Sequence, residues 1–115
     1  MEKPLMISWE DFEKVDIRVG TIVQTEEFPE AKRSAYKLWV DLGPELGIKK
    51  SSAQITIVYK REELVGKKVL AVVNFPPRQV GKFMSEILVT GFYRNDTDVV
   101  LATVDQDVPN GARLK

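Results

Sequence analysis

The stretch Lys67–Gly91, KKVLAVVNFPPRQVGKFMSEILVTG, decides how the rest of the chain is read. Two apolar runs, Val69–Val73 and Ile87–Val89, have the short, β-branched character of strands. The segment between them is too long for a tight hairpin. Pro76 and Pro77 each fix φ and lack an amide hydrogen, so regular sheet pairing must stop there. Asn74, Arg78, Lys82, Ser85 and Glu86 are therefore expected beside a stiff corner. Polar groups held rigidly suit a binding site. A merely polar surface crossover would have the same composition.

Upstream, Ile48–Ile57 (IKKSSAQITI) alternates Ala53, Ile55 and Ile57 with Ser52, Gln54 and Thr56. This predicts a strand with one face of hydroxyl and amide groups, lining a groove or facing solvent. Ala35–Leu42 (AYKLWVDL) puts Tyr36, Leu38, Val40 and Leu42 on one face and Lys37, Trp39 and Asp41 on the other. Trp39 among charges is an interface anchor, a stacking platform or the cover of a second small core. Asp16–Glu27 reads as a strand with a bend at Gly20, because Ile22 and Val23 break the alternation. Ser8, with Asp11 three residues on, predicts a capped helix over Trp9–Lys14. Phe28–Arg33 and Gly43–Gly47 read as turns, and Tyr59–Val65 as a short helix stopped by Gly66.

Downstream, Ser85–Phe92 and Val99–Val104 read as strands around an Asn/Asp-rich turn at 94–98, and Pro109-Asn110-Gly111 turns the chain again. Many short strands with regular turns and one or two small helices predict an all-β barrel or sandwich.

The chain has 115 residues, the size of a single domain, and no apolar run near the roughly 20 residues that span a bilayer. MEKPLMISWEDF lacks the basic start, apolar run and small-residue site of a secretory signal, so a cytoplasmic setting is expected. There is no Cys, which excludes disulfides and thiolate chemistry, and no His, which removes the usual general base and commonest metal ligand. The chain has neither a GxxxxGK[ST] nor a GxGxxG phosphate loop. Ser51, Ser52 and Ser85 have lysines nearby but no spacing that makes a nucleophile. A binding module is expected rather than an enzyme, with no metal or cofactor.

Net charge is zero, but residues 1–30 carry eight acids against three bases, whereas residues 31–82 carry eleven bases against four acids. A basic middle could attract phosphates, or pair with the acidic ends. The pI of about 6.3 is low for a strong nucleic-acid binder.

Six segments carry a family resemblance: DFEKVDIRVGTI (Asp11–Ile22), FPEA (Phe28–Ala31), YKLWVDLG (Tyr36–Gly43), KSSAQIT (Lys50–Thr56), YKREELVGKKVLAVVNFPPR (Tyr59–Arg78) and SEILV (Ser85–Val89). Together they resemble the tRNA-binding-domain family, which includes the C-terminal appendix of some methionyl-tRNA synthetases. SSAQIT, NFPPR and the closing VPNGAR are most similar to its stand-alone CsaA branch, described as export-related chaperones.

The resemblance implies a five-stranded Greek-key OB-fold barrel spanning residues 1–115, with short helices and terminal extensions that join two copies into a homodimer. It places Asn74, Arg78, Ser85 and Glu86 around the ligand site, with Lys50, Ser52 and Gln54 on the adjoining strand. Two ligands are expected from it. For an unfolded or precursor polypeptide, Phe75, Phe83 and Met84 would supply apolar contacts, and Gln54, Asn74 and Ser85 would bond its backbone. For tRNA, Lys32, Arg33, Lys49, Lys50, Arg78 and Lys82 would meet phosphates.

Overall fold

A computed structural model describes residues 5–115. In chain order the elements are α1 (Trp9–Glu13), β1 (Ile17–Glu27), β2 (Tyr36–Asp41), α2 (Gly43–Leu46), β3 (Ile48–Ala53), a 3-10 turn (Arg61–Glu63) and β4 (Lys68–Val72). Then follow β5 (Arg78–Val80), β6 (Phe83–Ser85), β7 (Leu88–Val89), β8 (Gly91–Tyr93) and β9 (Val99–Leu101). Five strands form one antiparallel sheet in the order β3-β2-β1-β4-β7. The sheet curls until β7 returns to β3, giving a nearly closed OB-fold barrel.

Alternation along β2 explains the core. Leu38, Val40 and Leu42 are fully buried, packed with Ile22, Val69 and Leu64, while Lys37 and Trp39 face outward. At about 25 cal/mol per Å2 of apolar surface removed from water, side chains of this size each stabilise the barrel by roughly 2 kcal/mol. Trp39 takes the third of its expected roles. It packs on a small outer cluster of Phe28, Ala35 and Phe83, its ring 6.1 Å from that of Phe83 and nearly edge-on.

β1 keeps its length, but its irregularity lies between Ile22 and Gln24, not at Gly20. Val23 is the extra residue, which lets Ile22 point inward while Val23 stays exposed. Gly20 has a different task. A Cβ there would stand 2.4 Å from Val40 Cγ1 and 2.9 Å from the Asp41 carbonyl, so glycine permits the close crossing of β1 and β2.

Several other boundaries shift. The helix Trp9–Lys14 ends one residue sooner, and its capping box is as expected: Asp11 N donates to Ser8 Oγ and Ser8 N to Asp11 Oδ2, each at 3.1 Å. The Gly43–Gly47 turn contains one helical turn, α2, with Pro44 in its first positions. The strand expected to reach Ile57 stops at Ala53, and the chain turns so that Tyr59 N donates to Ile55 O at 3.2 Å. Ala53 and Ile55 are buried, but Ile57 is exposed. The helix expected over Tyr59–Val65 shrinks to the 3-10 turn. The last strand ends at Leu101 instead of Val104.

The proline loop holds an unexpected hairpin, β5–β6, with Val80 opposite Phe83 and Gly81-Lys82 as its two-residue turn. Gly81 has φ of 62°, and every residue with positive φ among those described is a glycine, so Lys82 completes a II′-type turn.

The C-terminal segment runs along β1 where β2 leaves it. Gly111 N donates to Val19 O (2.7 Å), Val19 N to Ala112 O (2.9 Å) and Leu114 N to Ile17 O (2.8 Å). Asp16 anchors this seam. It takes bonds from Arg18 Nε (2.6 Å) and Nη2 (3.2 Å), and Arg113 Nε lies 3.4 Å away. The hydrogen bond to Asp16 raises the Arg18 pKa above its usual value.

Candidate ligand cleft

Barrel closure between β3 and the β6–β7 segment sets the geometry of the site. Direct ladder bonds are few there, and side chains complete the seam. Glu86 N donates to Lys50 O at 2.8 Å, and Lys50 N donates back to Glu86 Oε1 at 3.2 Å. Ser52 N donates to Ser85 Oγ (3.3 Å), and Ser85 Oγ donates to Ile87 O (3.2 Å). Val89 N reaches the fully buried Ser51 Oγ at 3.5 Å. Short side-chain oxygens here substitute for a missing strand partner, as buried backbone groups require.

Beyond this stitched stretch the two edges diverge and leave a cleft of about 690 Å3. One wall is the end of β3 and the two residues after it, Ser52 to Ile55; the other is Ile87 to Gly91 with Tyr93. Phe75, Pro76 and Arg78 close one side, and Arg33 reaches in from the β1–β2 turn. The prolines act as the sequence requires: the loop leaves the sheet at Val72 and resumes pairing only at Arg78. Arg78, Ser85 and Gln54, drawn from three separate stretches, share this cleft, as do Ser52, Phe75, Glu86 and Arg33.

A second recess of about 560 Å3 lies on the outer face of the hairpin and is lined by Glu30, Lys37, Lys50, Gly81, Lys82 and Phe83. Lys37 Nζ and Lys50 Nζ stand 5.4 and 5.3 Å from the Phe83 ring centre, within cation–π range. Lys37 Nζ also lies 3.9 Å from Glu30 Oε2. Lys50 and Lys82 therefore group apart from Arg78, and Lys37 is a cation that reading the sequence did not single out as a ligand contact.

Seven of the expected contacts stand elsewhere or are otherwise engaged. Asn74 is a structural tie: its Oδ1 accepts Asp16 N (3.1 Å) and its Nδ2 donates to Lys14 O (2.6 Å), fastening the loop to the start of β1. Phe83 is buried in the outer cluster with Phe28, their rings 5.4 Å apart. Ser85 and Glu86 line the cleft with polar atoms already committed to the seam. Met84, on the hairpin opposite Gln79, lines neither recess, and nor do Lys32 and Lys49. The cleft also gains Leu88 and Tyr93, both exposed, which the loop-centred reading passed over.

Comparison with known proteins agrees with the barrel. A family model described as a putative tRNA binding domain matches residues 17–113. The methionine–tRNA ligases of Bdellovibrio bacteriovorus and Methanocaldococcus jannaschii are each 36% identical over 99% of this chain. The chain spans only 16% and 17% of the length of those two relatives. Two solved structures titled as CsaA chaperones, from Bacillus anthracis and Picrophilus torridus, are each 47% identical. They cover 96% of this chain and 100% of their own, with TM-scores of 0.91 and 0.89.

Proposed function

The chain belongs to the tRNA-binding-domain family, and from that premise we propose that it is a non-catalytic, CsaA-like chaperone that holds unfolded or precursor polypeptides in the cleft between β3 and β8. The supporting observation is the make-up of the cleft. Phe75, Leu88, Tyr93 and Val99 offer apolar surface, the strand edges offer backbone groups, and among the described residues only Arg33 and Arg78 bring positive charge. Such a lining suits a chain of mixed side chains better than a run of phosphates. A panel of fluorescent unfolded and precursor-derived peptides tests the reading. Saturable binding weakened by Tyr93→Ala supports it; no binding across the panel ends it.

A second reading, tRNA binding, is favoured by the outer recess, where Lys37, Lys50 and Lys82 converge. The other expected phosphate contacts lie off that recess: Arg33 lines the cleft, and Lys32 and Lys49 line neither. It predicts a steep loss of affinity with salt, about one decade per decade of salt for each phosphate neutralised. Titration of labelled tRNA at two salt concentrations separates the readings.

A homodimer through the terminal extensions belongs to the same proposal, with residues 1–115 acting as one unit. Leu5, Met6, Ile7 and Trp9 are exposed by 94, 96, 69 and 82%, a run of apolar side chains that a partner copy would cover. Sedimentation of Ile7→Glu/Trp9→Glu as a monomer supports it; an unchanged mass for wild type and variant refutes it. Cytoplasmic residence is proposed with it; among the described residues no helix is long and apolar enough to cross a membrane.

A further inference from the structure

The backbone parity of the two cleft walls points to how a ligand is held. Along β8 and β9, Arg94 N donates to Asp98 O (2.8 Å) and Ala102 N to Thr90 O (3.1 Å). The intervening ladder pairs are Gly91 with Leu101, Phe92 with Val100 and Tyr93 with Val99. In an antiparallel ladder every second residue faces the partner. Phe92 and Arg94 therefore turn their amide and carbonyl toward β9, and Thr90 its carbonyl. Thr90 N also bonds Leu70 O (2.9 Å), which puts β4 on that same side. Val89, Gly91 and Tyr93 turn theirs the opposite way, toward β3, and the bond from Val89 N to Ser51 Oγ confirms the direction.

The facing wall obeys the same rule. Lys50 turns both backbone groups toward Glu86, and Ser52 N turns to Ser85 Oγ. With a period of two, the carbonyl of Ser52, which accepts Ser51 Oγ at 3.0 Å, turns the same way, and Gln54, just past the end of β3, lines the cleft. The inward-facing residues Ser52, Val89, Gly91 and Tyr93 all line it, as does Gln54. The β8 edge thus turns the backbone groups of Gly91 and Tyr93, at strand spacing, across a gap toward the end of β3. Arg33 and Arg78 add two cations, while the nearby Glu86 carboxylate is held by the Lys50 amide.

We propose that the cleft takes an extended segment of polypeptide by strand addition, the segment pairing with β3 and β8 together and completing the barrel, with an acidic side chain set against Arg33 and Arg78. The inference rests on the polypeptide-binding reading and names its mode. Main-chain bonds supply sequence-tolerant affinity, and alternate side chains meet Phe75, Leu88 and Tyr93. A polypeptide has the alternating amides and carbonyls that such an edge asks for, and nucleic acid has not.

The test uses the full chain and a capped Val/Thr peptide carrying one Glu, with amide exchange followed by NMR. Binding should slow exchange at Gln54, Gly91 and Tyr93 by tenfold or more. Consecutive peptide amides face opposite edges, so N-methylation at either of two neighbouring central positions should weaken binding roughly tenfold. Arg33→Glu/Arg78→Glu should reverse the preference between the Glu peptide and its Lys counterpart. If the peptide binds but those three amides exchange as before and N-methylation is harmless, strand addition falls while polypeptide binding stands. If no peptide binds, both readings fall. Protection of these amides by an RNA oligonucleotide instead, or in the free protein only at high concentration, overturns the inference in favour of nucleic acid or of a second copy.

Discussion

Lys50 and Glu86 bond one another twice across the barrel seam: the Glu86 amide donates to the Lys50 carbonyl, and the Lys50 amide donates to the Glu86 carboxylate. A side chain therefore takes the place of the second half of a ladder pair. Glu86→Ala removes the acceptor of a part-buried amide and should cost about 1–3 kcal/mol. Glu86→Gln keeps an oxygen there and should cost less. Urea denaturation of both variants checks the order; equal losses would show that the carboxylate does not serve this amide.

Asn74 and Arg78 sit four residues apart and should behave as opposites. Asn74→Ala strips two bonds to the backbone of Lys14 and Asp16 and should lower stability by about 1–2 kcal/mol with little change in ligand affinity. Arg78→Ala, on the exposed hairpin, should leave stability within about 0.5 kcal/mol and weaken the ligand. Paired melting and binding measurements decide the assignment.

Gly20→Ala should be among the most damaging single changes. Its Cβ would meet Val40, Leu42 and the Asp41 carbonyl at 2.4–2.9 Å, and backbone cannot yield as a flexible side-chain tip can. Overpacking of this kind costs about 1–3 kcal/mol, read as a lowered thermal midpoint. Gly66→Ala meets open space but a φ of 96°, so its loss would come from strain instead.

The 94–98 turn should be acid-sensitive. Bonds from Arg94 and Asn95 hold the Asp98 carboxyl below its usual pKa. A depressed carboxylate stabilises the fold fully above its unfolded pKa of about 3.9 and loses that contribution as pH falls through the folded value. Asp98→Asn should therefore be less stable than wild type at pH 6, and the gap should close on acidification below about pH 4. A gap independent of pH would assign the effect to packing.

The alternation of Tyr36, Leu38, Val40 and Leu42 was legible because a half-buried strand needs nothing beyond its own pattern. Ile57 misled for the same reason: the pattern runs on after the strand has ended, and only the turn onto Tyr59 ends it. Asn74 looked like a ligand contact because a polar amide on a stiff corner satisfies that description. Its partners are some sixty residues earlier in the chain, and only the folded barrel brings them together. Ser85 and Glu86 were found as a motif but not as a seam, since β3 must first arrive opposite them. The β5–β6 hairpin did leave a signal, Val80-Gly81-Lys82-Phe83, with glycine at the first turn position. The two prolines before it drew the reading toward an irregular loop.

Trp39 lies edge-on to Phe83, between the barrel wall and the hairpin that flanks the cleft. The chain has only one other tryptophan, the exposed Trp9. Replacing Trp9 with Phe leaves a single indole whose emission responds to the seating of that hairpin. The molecule thus carries its own optical gauge, and loosening of the hairpin could be timed in stopped flow without attaching a dye.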